Sequence, residues 1–102
     1  MDYSQMCPKY EQAIDLLGKK WTGLIIRVLL DEPKRFKEIK EQIPEMSDRI
    51  LAERMKELEQ LNVVSRTVYP EKPVLIEYAL TEKGMALRPV IESIQLWGEK
   101  WA

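Results

Sequence analysis

Cys7 is the residue with the clearest capacity for covalent chemistry in this sequence. It is the one cysteine among 102 residues. It stands directly before Pro8, and proline is favoured at the first position of a helix because the N–H that it lacks would be unpaired there. The unpaired N–H groups and the dipole of such a helix start favour the thiolate, and Lys9 adds to that effect. A thiolate reacts with peroxides, diamide, quinones and aldehydes, so Cys7 is a candidate sensor of oxidants or electrophiles.

A lone cysteine is also commonly a small hydrophobic residue packed at a dimer seam, and the residues alone favour this second interpretation of Cys7. Histidine is absent, which excludes Cys/His zinc sites and Ser-His or Cys-His catalysis within one chain. One cysteine cannot form an intrachain disulfide. We therefore expect no enzyme activity, no metal site and no cofactor, while a small-ligand pocket between dimer helices stays open.

A second set of residues could recognise DNA. The segment that begins at Ser47 carries short residues around one long donor, Arg49, and the N-terminal residues of a helix in the major groove meet the base edges. Arg49 can bind a guanine or a phosphate, Lys37 and Lys56 can meet phosphates, and Lys72 can reach the minor groove. The predicted DNA-binding residues are Arg35, Lys37, Ser47, Asp48, Arg49, Ala52, Glu53, Lys56 and Lys72. The alternative is a solvated helix face with ordinary surface charges.

The elements that must position these residues follow from hydrophobic spacing and from stop signals. Helices are predicted from Pro8 to Gly18, from about Trp21 to Leu30, around Phe36, Ile39 and Ile43 up to Pro44, and from the N-cap Ser47 to about Leu61. In the fourth helix Leu51, Met55, Leu58 and Asn62 share one side, and Arg49, Ala52, Glu53, Lys56 and Gln60 share the other. Strands at Val63–Tyr69 and Leu75–Leu80 flank a loop with two prolines, and Thr81 caps a last helix to about residue 101.

This order of elements predicts one α+β, mainly α domain over residues 1–102. It is a winged helix-turn-helix, with the helix-turn-helix at about 35–61, the wing at about 63–80 and a C-terminal dimer helix at about 81–101. A longest apolar run of three residues, Leu24-Ile25-Ile26, and a start without signal-peptide character predict a cytoplasmic protein with no membrane partner.

The charge of the chain is the main caution against DNA binding. The net charge is -1, whereas many DNA-binding domains are strongly basic. From Lys34 to Lys56 there are seven basic residues against five acidic ones, an excess too small to decide the question. A winged helix used for protein–protein contact therefore stays open as an alternative, and salt dependence would separate the two classes.

The end of the last helix predicts a homodimer. Its tryptophans expose more aromatic surface than a small monomer can easily bury, and we expect the first and last helices to pair across a two-fold axis. The predicted interface residues are Cys7, Tyr10, Leu87, Ile91, Ile94, Trp97 and Trp101. Such a dimer places two recognition helices about 34 Å apart, or a multiple of that distance.

The sequence also resembles the HxlR-type family of bacterial transcription regulators. The similarity lies in Cys7-Pro8, Leu17-Gly18-Lys19-Lys20-Trp21-Thr22, Arg35-Phe36-Lys37-Glu38-Ile39, Ile43-Pro44, Ser47-Asp48-Arg49-Ile50-Leu51, Leu80 to Gly84 and Trp97-Gly98, in order along nearly the entire chain. The resemblance implies a homodimeric winged helix protein that binds inverted-repeat operator DNA through the face with Ser47, Arg49, Ala52, Glu53 and Lys56. Asn62 stands where the family often has glycine, and asparagine also tolerates a left-handed backbone.

Within that family the N-terminal segment looks most like the YodB-like branch, repressors that sense quinones and disulfide stress through this cysteine. The resemblance implies a repressor whose operator binding is relieved when Cys7 is modified. Members of the branch often carry further cysteines near the C-terminus, and this chain has none. The forms that remain are alkylation, a mixed disulfide with a low-molecular-weight thiol, or a Cys7–Cys7 bridge across the dimer, which needs Cα atoms within about 7 Å. The alternative is that Cys7 is structural and that the regulator responds to another small ligand.

Overall fold

The computed structural model describes residues 7–102. Within these residues six helices and one antiparallel hairpin follow one another along the chain. The bounds are α1 (Pro8–Gly18), α2 (Thr22–Asp31), α3 (Phe36–Gln42), α4 (Asp48–Gln60), β1 (Val64–Tyr69), β2 (Leu75–Leu80), α5 (Glu82–Met85) and α6 (Arg88–Trp101). This order is the predicted winged helix-turn-helix, with α3 and α4 as the helix-turn-helix and the hairpin as the wing.

The turn between α3 and α4 is fixed by apolar burial and by a cap. Ile43 and Met46 are buried on either side of Pro44, which anchors the turn to the core. Ser47 has an extended backbone, and its Oγ accepts from the Ile50 N–H at 3.1 Å. This bond satisfies one of the unpaired donors at the start of α4. The predicted N-cap is confirmed.

Two strands pair in register from Val64 opposite Leu80 to Tyr69 opposite Leu75. A third extended segment joins the hairpin at Lys34, whose N–H donates to the Tyr78 carbonyl at 2.9 Å while the Tyr78 N–H donates to the Lys34 carbonyl at 2.8 Å. The wing is therefore tied to the chain just before α3 as well as to the end of α4. Tyr78 is buried, which adds packing to these backbone bonds.

The core is centred on α2. Ile25, Ile26 and Leu29 of this helix are almost fully buried. They belong to one cluster with the inner faces of α3 and α4, the first residues of the wing and one residue of α6, contributed by Ile39, Leu51, Met55, Leu58, Val63, Val64 and Ile91. Burial of each such aliphatic side chain stabilises the fold by roughly 1.5–3 kcal/mol. Leu24 of the same helix, by contrast, is exposed.

The start of the second helix was predicted one residue too early. Trp21 has a left-handed backbone with φ 78°, so α2 begins at Thr22. A bulky residue seldom adopts this conformation, and here the indole packs against the core with the Lys20 ammonium 5.0 Å from the ring centroid. The Thr22 N–H donates to the Lys19 carbonyl at 3.2 Å. This kink sets the direction of α1 relative to α2.

The prediction that Asn62 shares the buried side of the fourth helix was wrong. Helix α4 ends at Gln60, and Asn62 is exposed beyond it with φ 60°. This is the left-handed conformation that asparagine tolerates, so the expected equivalence to glycine at this position is confirmed. The turn lets the Val63 N–H donate back to the Leu58 carbonyl at 2.9 Å, which closes the end of α4.

The predicted continuous helix over 81–101 is two helices. Thr81 does cap a helix, because its Oγ1 accepts from the Gly84 N–H at 3.1 Å. That helix ends at Met85, and α6 begins at Arg88 with Pro89 in its first turn. In a continuous helix the ring of Pro89 would collide with the carbonyl of Met85, four residues earlier. In the second half of α6, Leu96, Trp97 and Trp101 are all largely exposed.

Candidate DNA interface and the Cys7 thiol

Helix α4 has one buried side and one exposed side. Leu51, Met55 and Leu58 have at most 1% of their surface exposed, while the predicted recognition residues on the opposite side all face solvent: Arg49, Ala52, Glu53 and Lys56. The structure therefore brings these four together on one surface, next to the capped start of the helix. A face of this kind is available to a DNA groove.

Arg49 is a highly accessible long donor on this face, with 84% of its side chain exposed. Its Nε lies 3.9 Å from Glu53 Oε1, one turn later, which is a weak surface pair. Asp48 occupies the first turn of α4, where a carboxylate is stabilised by the helix dipole. Arg49 thus keeps its planar donor fork available for a guanine edge or a phosphate.

Two of the seven basic residues counted from Lys34 to Lys56 face the protein rather than solvent. Lys34 is buried, and its Nζ donates to Glu32 Oε1 at 2.9 Å; this hydrogen bond raises the pKa of Lys34 above its ordinary value. Arg54 has only 13% of its side chain exposed and donates to the Lys20 carbonyl. Lys40 in turn donates to the Pro44 carbonyl at 2.8 Å. Fewer positive charges are therefore available to DNA than the seven basic residues counted in the sequence.

Helix α3 places two predicted contacts beside this face. Arg35 is the N-cap of α3, and its backbone N–H donates to Glu38 Oε1 at 2.8 Å. This bond is the main reason that the pKa of Glu38 lies below its ordinary value, with the Arg35 charge as a further cause. Lys37 is exposed, and within residues 7–102 neither Lys37 nor Lys56 has an ion-pair partner.

The wing carries the remaining predicted contact at its tip. Lys72 lies in the exposed loop between β1 and β2. Arg66, on the exposed strand β1 opposite Tyr78, is a second cation of the wing. Sequence reasoning did not single it out, although the polar residues around Val68 already indicate a strand that is not buried on either face.

Cys7 is the N-cap of α1, with an extended backbone at φ −60° and ψ 121°. Its carbonyl accepts from the Tyr10 N–H at 3.0 Å, while its thiol makes no capping hydrogen bond. The side chain is exposed. Among residues 7–102 no cluster of three or more His, Cys, Asp or Glu side chains is suited to hold a metal ion. The site is a solvent-accessible thiol at a helix start.

The predicted interface residues divide into two groups. Ile91 is 6% exposed within its own chain and Leu87 packs against the same core. The others are largely exposed: Cys7, Tyr10, Ile94, Trp97 and Trp101. Ile14 of α1 and Leu24 of α2 add to this apolar surface. No helix in the described part of the chain has the length and apolar character needed to cross a membrane.

Comparison with known proteins agrees with this architecture. A family model described as HxlR-like helix-turn-helix matches residues 16–102. The HTH-type transcriptional regulator YodB of Bacillus subtilis is 58% identical over 96 residues, which are 94% of this chain and 86% of that protein. The uncharacterized HTH-type transcriptional regulator YvaP of the same organism is 50% identical over 101 residues, covering 99% and 94%.

Solved structures of YodB from B. subtilis are similar over nearly the whole length of both chains. The reduced form has a TM-score of 0.86 at 58% identity and covers 95% of each chain. The quinone-bound form has a TM-score of 0.82 at 54% identity, covering 94% of this chain and 100% of that one. A diamide-treated form has a TM-score of 0.81 at 57% identity, covering 96% and 97%.

Proposed function

The chain belongs to the HxlR-like helix-turn-helix family and is a DNA-binding transcription regulator rather than an enzyme. We propose that it is a repressor that is released from its operator by modification of Cys7. The observation that carries the proposal is the exposed thiol at the start of α1. YodB, to which the chain is similar, is known in reduced, diamide-treated and quinone-bound forms, which supports the same class of signal here.

The chemistry at Cys7 takes one of two forms. With a quinone, the thiolate sulfur adds to a ring carbon, the hydrogen of that carbon moves to one ring oxygen and one proton from solvent goes to the other, so that the ring becomes a hydroquinone thioether. With diamide, two thiols lose two electrons and two protons to the azo bond, which becomes a hydrazine, and a disulfide forms. The disulfide joins Cys7 either to a small thiol or to Cys7 of a second copy, because each chain carries one cysteine.

The active species in this proposal is a homodimer that binds an inverted repeat in the cytoplasm. The exposed apolar residues of α1 and α6 support it, since Tyr10, Ile94, Trp97 and Trp101 are each more than half exposed in the single chain. Two-fold symmetry repeats the α4 face, so each half-site meets Arg49 and Lys56 of one protomer. Modification of Cys7 moves α1 and thereby changes the spacing of the two recognition helices.

The test is an operator selection from random DNA followed by binding measurements on wild type and Cys7→Ser. Both proteins should bind the selected operator in the reduced state. Benzoquinone or diamide should weaken wild-type binding tenfold or more, within the usual range of allosteric coupling, and leave Cys7→Ser unchanged. Mass spectrometry and a non-reducing gel then identify the adduct. An equal response in Cys7→Ser would show that Cys7 is not the sensor.

A further inference from the structure

Helix α1 packs loosely against the rest of the protein. None of its residues is buried, although Leu16 and Leu17 pack against the core. Between α1 and α4 lies an open crevice of about 450 Å³, lined on one side by Gln12, Asp15 and Leu16 and on the other by Glu57, Leu58 and Leu61. A second crevice of about 280 Å³ is also lined by Leu16, together with Val63 and Leu87. Close packing, which would resist movement of α1 against α4, is therefore missing along most of this boundary.

Polar contacts bridge the two helices at one edge of the larger crevice. Lys19, directly after α1, places Nζ 2.9 Å from Glu57 Oε2. The other oxygen of Glu57 lies 3.3 Å from Arg54 Nη1. Arg54 Nε donates to the Lys20 carbonyl at 3.0 Å. One carboxylate oxygen of Glu57 and the Nε of Arg54 thus connect α4 to the segment that joins α1 to α2. The Arg54–Glu57 pair links these two contacts within α4.

Arg54 is the better positioned of the two α4 residues to transmit movement. Its side chain is only 13% exposed, so it is held by the surrounding protein as well as by its hydrogen bond to the Lys20 carbonyl. The Lys20 carbonyl precedes Trp21, whose left-handed backbone sets the direction of α1. In sequence, Arg54 follows Glu53 of the recognition face directly. A shift of the Lys19–Trp21 segment therefore acts on α4 through this guanidinium.

We propose that Arg54 is a positioning residue that couples α1, and with it the state of Cys7, to the orientation of the recognition helix. The inference rests on the proposed function, because it supplies the path from the thiol to the DNA-binding face. Arg54 acts through Glu57 and the Lys20 carbonyl and does not touch DNA. Loss of the Arg54 side-chain contacts should leave operator binding and Cys7 modification intact. It should reduce the effect of Cys7 modification on operator affinity.

Arg54→Met tests the inference, since it keeps the aliphatic stem and removes the donors. The measured quantity is the ratio of operator affinities between reduced and diamide-treated protein. In Arg54→Met this ratio should be about threefold or more below that of wild type, within the range by which residues of a coupling network act. Arg54→Lys, which retains the charge and one donor group, should recover part of it. Lys83→Met is the matched control: it removes a 2.7 Å bond from a cation to the Leu61 carbonyl just after α4, made from α5 rather than from α1.

A second readout does not depend on thiol chemistry. Coupling is reciprocal, so operator binding at α4 should slow amide hydrogen exchange in α1 of wild type and of Lys83→Met, and should do so much less in Arg54→Met. If wild type and Arg54→Met respond equally in both measurements, the inference is overturned while the proposed function stands. If wild type itself shows no response to diamide and no change in α1 exchange, both are overturned together.

Discussion

Gly84 in α5 faces the backbone of Val63 so closely that a Cβ at position 84 would overlap the Val63 carbonyl oxygen and lie 3.0 Å from Leu80 Cδ2. That carbonyl is not able to withdraw easily, because it also accepts from the Thr81 N–H at 3.0 Å and from Thr81 Oγ1 at 3.2 Å. The junction of α4, the wing and α5 therefore requires glycine for space rather than for a left-handed backbone, since no glycine in the described chain has positive φ.

Gly84→Ala should lower the free energy of unfolding by roughly 1–3 kcal/mol, as overpacking of a close contact does. Urea unfolding followed by circular dichroism measures it. Gly18→Ala is the control, because a Cβ at position 18 meets no atom within 4 Å, and it should be neutral or stabilising by up to about 1 kcal/mol. Equal stability of Gly84→Ala and wild type would show that the junction relaxes freely.

Glu38 should make the stability of the protein depend on pH below neutrality. Its pKa in the folded state is held below the ordinary value of 4.5, mainly by the Arg35 N–H. A depressed folded pKa adds stability above the unfolded pKa, and that stability is lost as pH falls through the folded value. Wild type should therefore exceed Glu38→Gln in stability at pH 7, and the difference should shrink as pH falls below 4.5.

Urea unfolding at a series of pH values measures this difference. Glu41→Gln on the same helix is the matched control, since Glu41 is exposed and forms no side-chain hydrogen bond or ion pair with residues 7–102. Comparing the two variants at each pH separates the loss of the Glu38 contact from the loss of one carboxylate on α3. A Glu38→Gln difference that stays constant from pH 7 to pH 3 would contradict the assigned role of the Arg35 N–H.

Arg49 and Lys56 should contribute differently to DNA recognition. Arg49→Ala should cost about 1–3 kcal/mol of operator affinity and relax the base preference at one position of each half-site. Lys56→Ala should weaken binding to all sequences alike and reduce the slope of log K against log salt by about one per protomer. Binding titrations at several salt concentrations, on the operator and on single-base variants, separate the two. Loss of preference in Lys56→Ala alone would reverse the assignment.

Trp97→Glu should dissociate the proposed dimer. The tryptophan is 64% exposed in the single chain and shares one side of α6 with Ile94 and Trp101 at helical spacing. A charge there would be buried without a partner at the interface. Sedimentation should show a monomer at micromolar concentration. Leu96→Glu, at a similarly exposed position on another side of α6, should remain dimeric. A wild-type monomer would contradict the proposed assembly.

Local signals account for what the sequence predicted well. The Ser47 cap, the start of α1 at Pro8, the end of α3 before Pro44 and the left-handed Asn62 each depend on a few neighbouring residues. These preferences act over one turn of chain, so they can be recognised without knowledge of the tertiary structure. The buried side of α4 followed in the same way from the spacing of its apolar residues.

Features decided by distant contacts were not predictable in this way. Arg54 was counted among the basic residues that could attract DNA, yet it binds the Lys20 carbonyl, 34 residues away. The left-handed Trp21 depends on packing of its indole against the core. The division of the last helix had a local signal in Pro89, but proline is also tolerated in the first turn of a helix, so its position alone did not decide between a kink and a new start.

The low burial of α1 has a consequence for the evolution of such regulators. Since α1 contributes no fully buried residue and only its Leu16 and Leu17 pack against the core, its other positions can change without disturbing the core that holds α4. Selection on the chemical signal and selection on the operator then fall on separate parts of the same gene product. A lineage that keeps the Lys19–Trp21 segment and Arg54 of α4 can come to respond to a new stimulus through changes in α1. Its target promoters then stay the same.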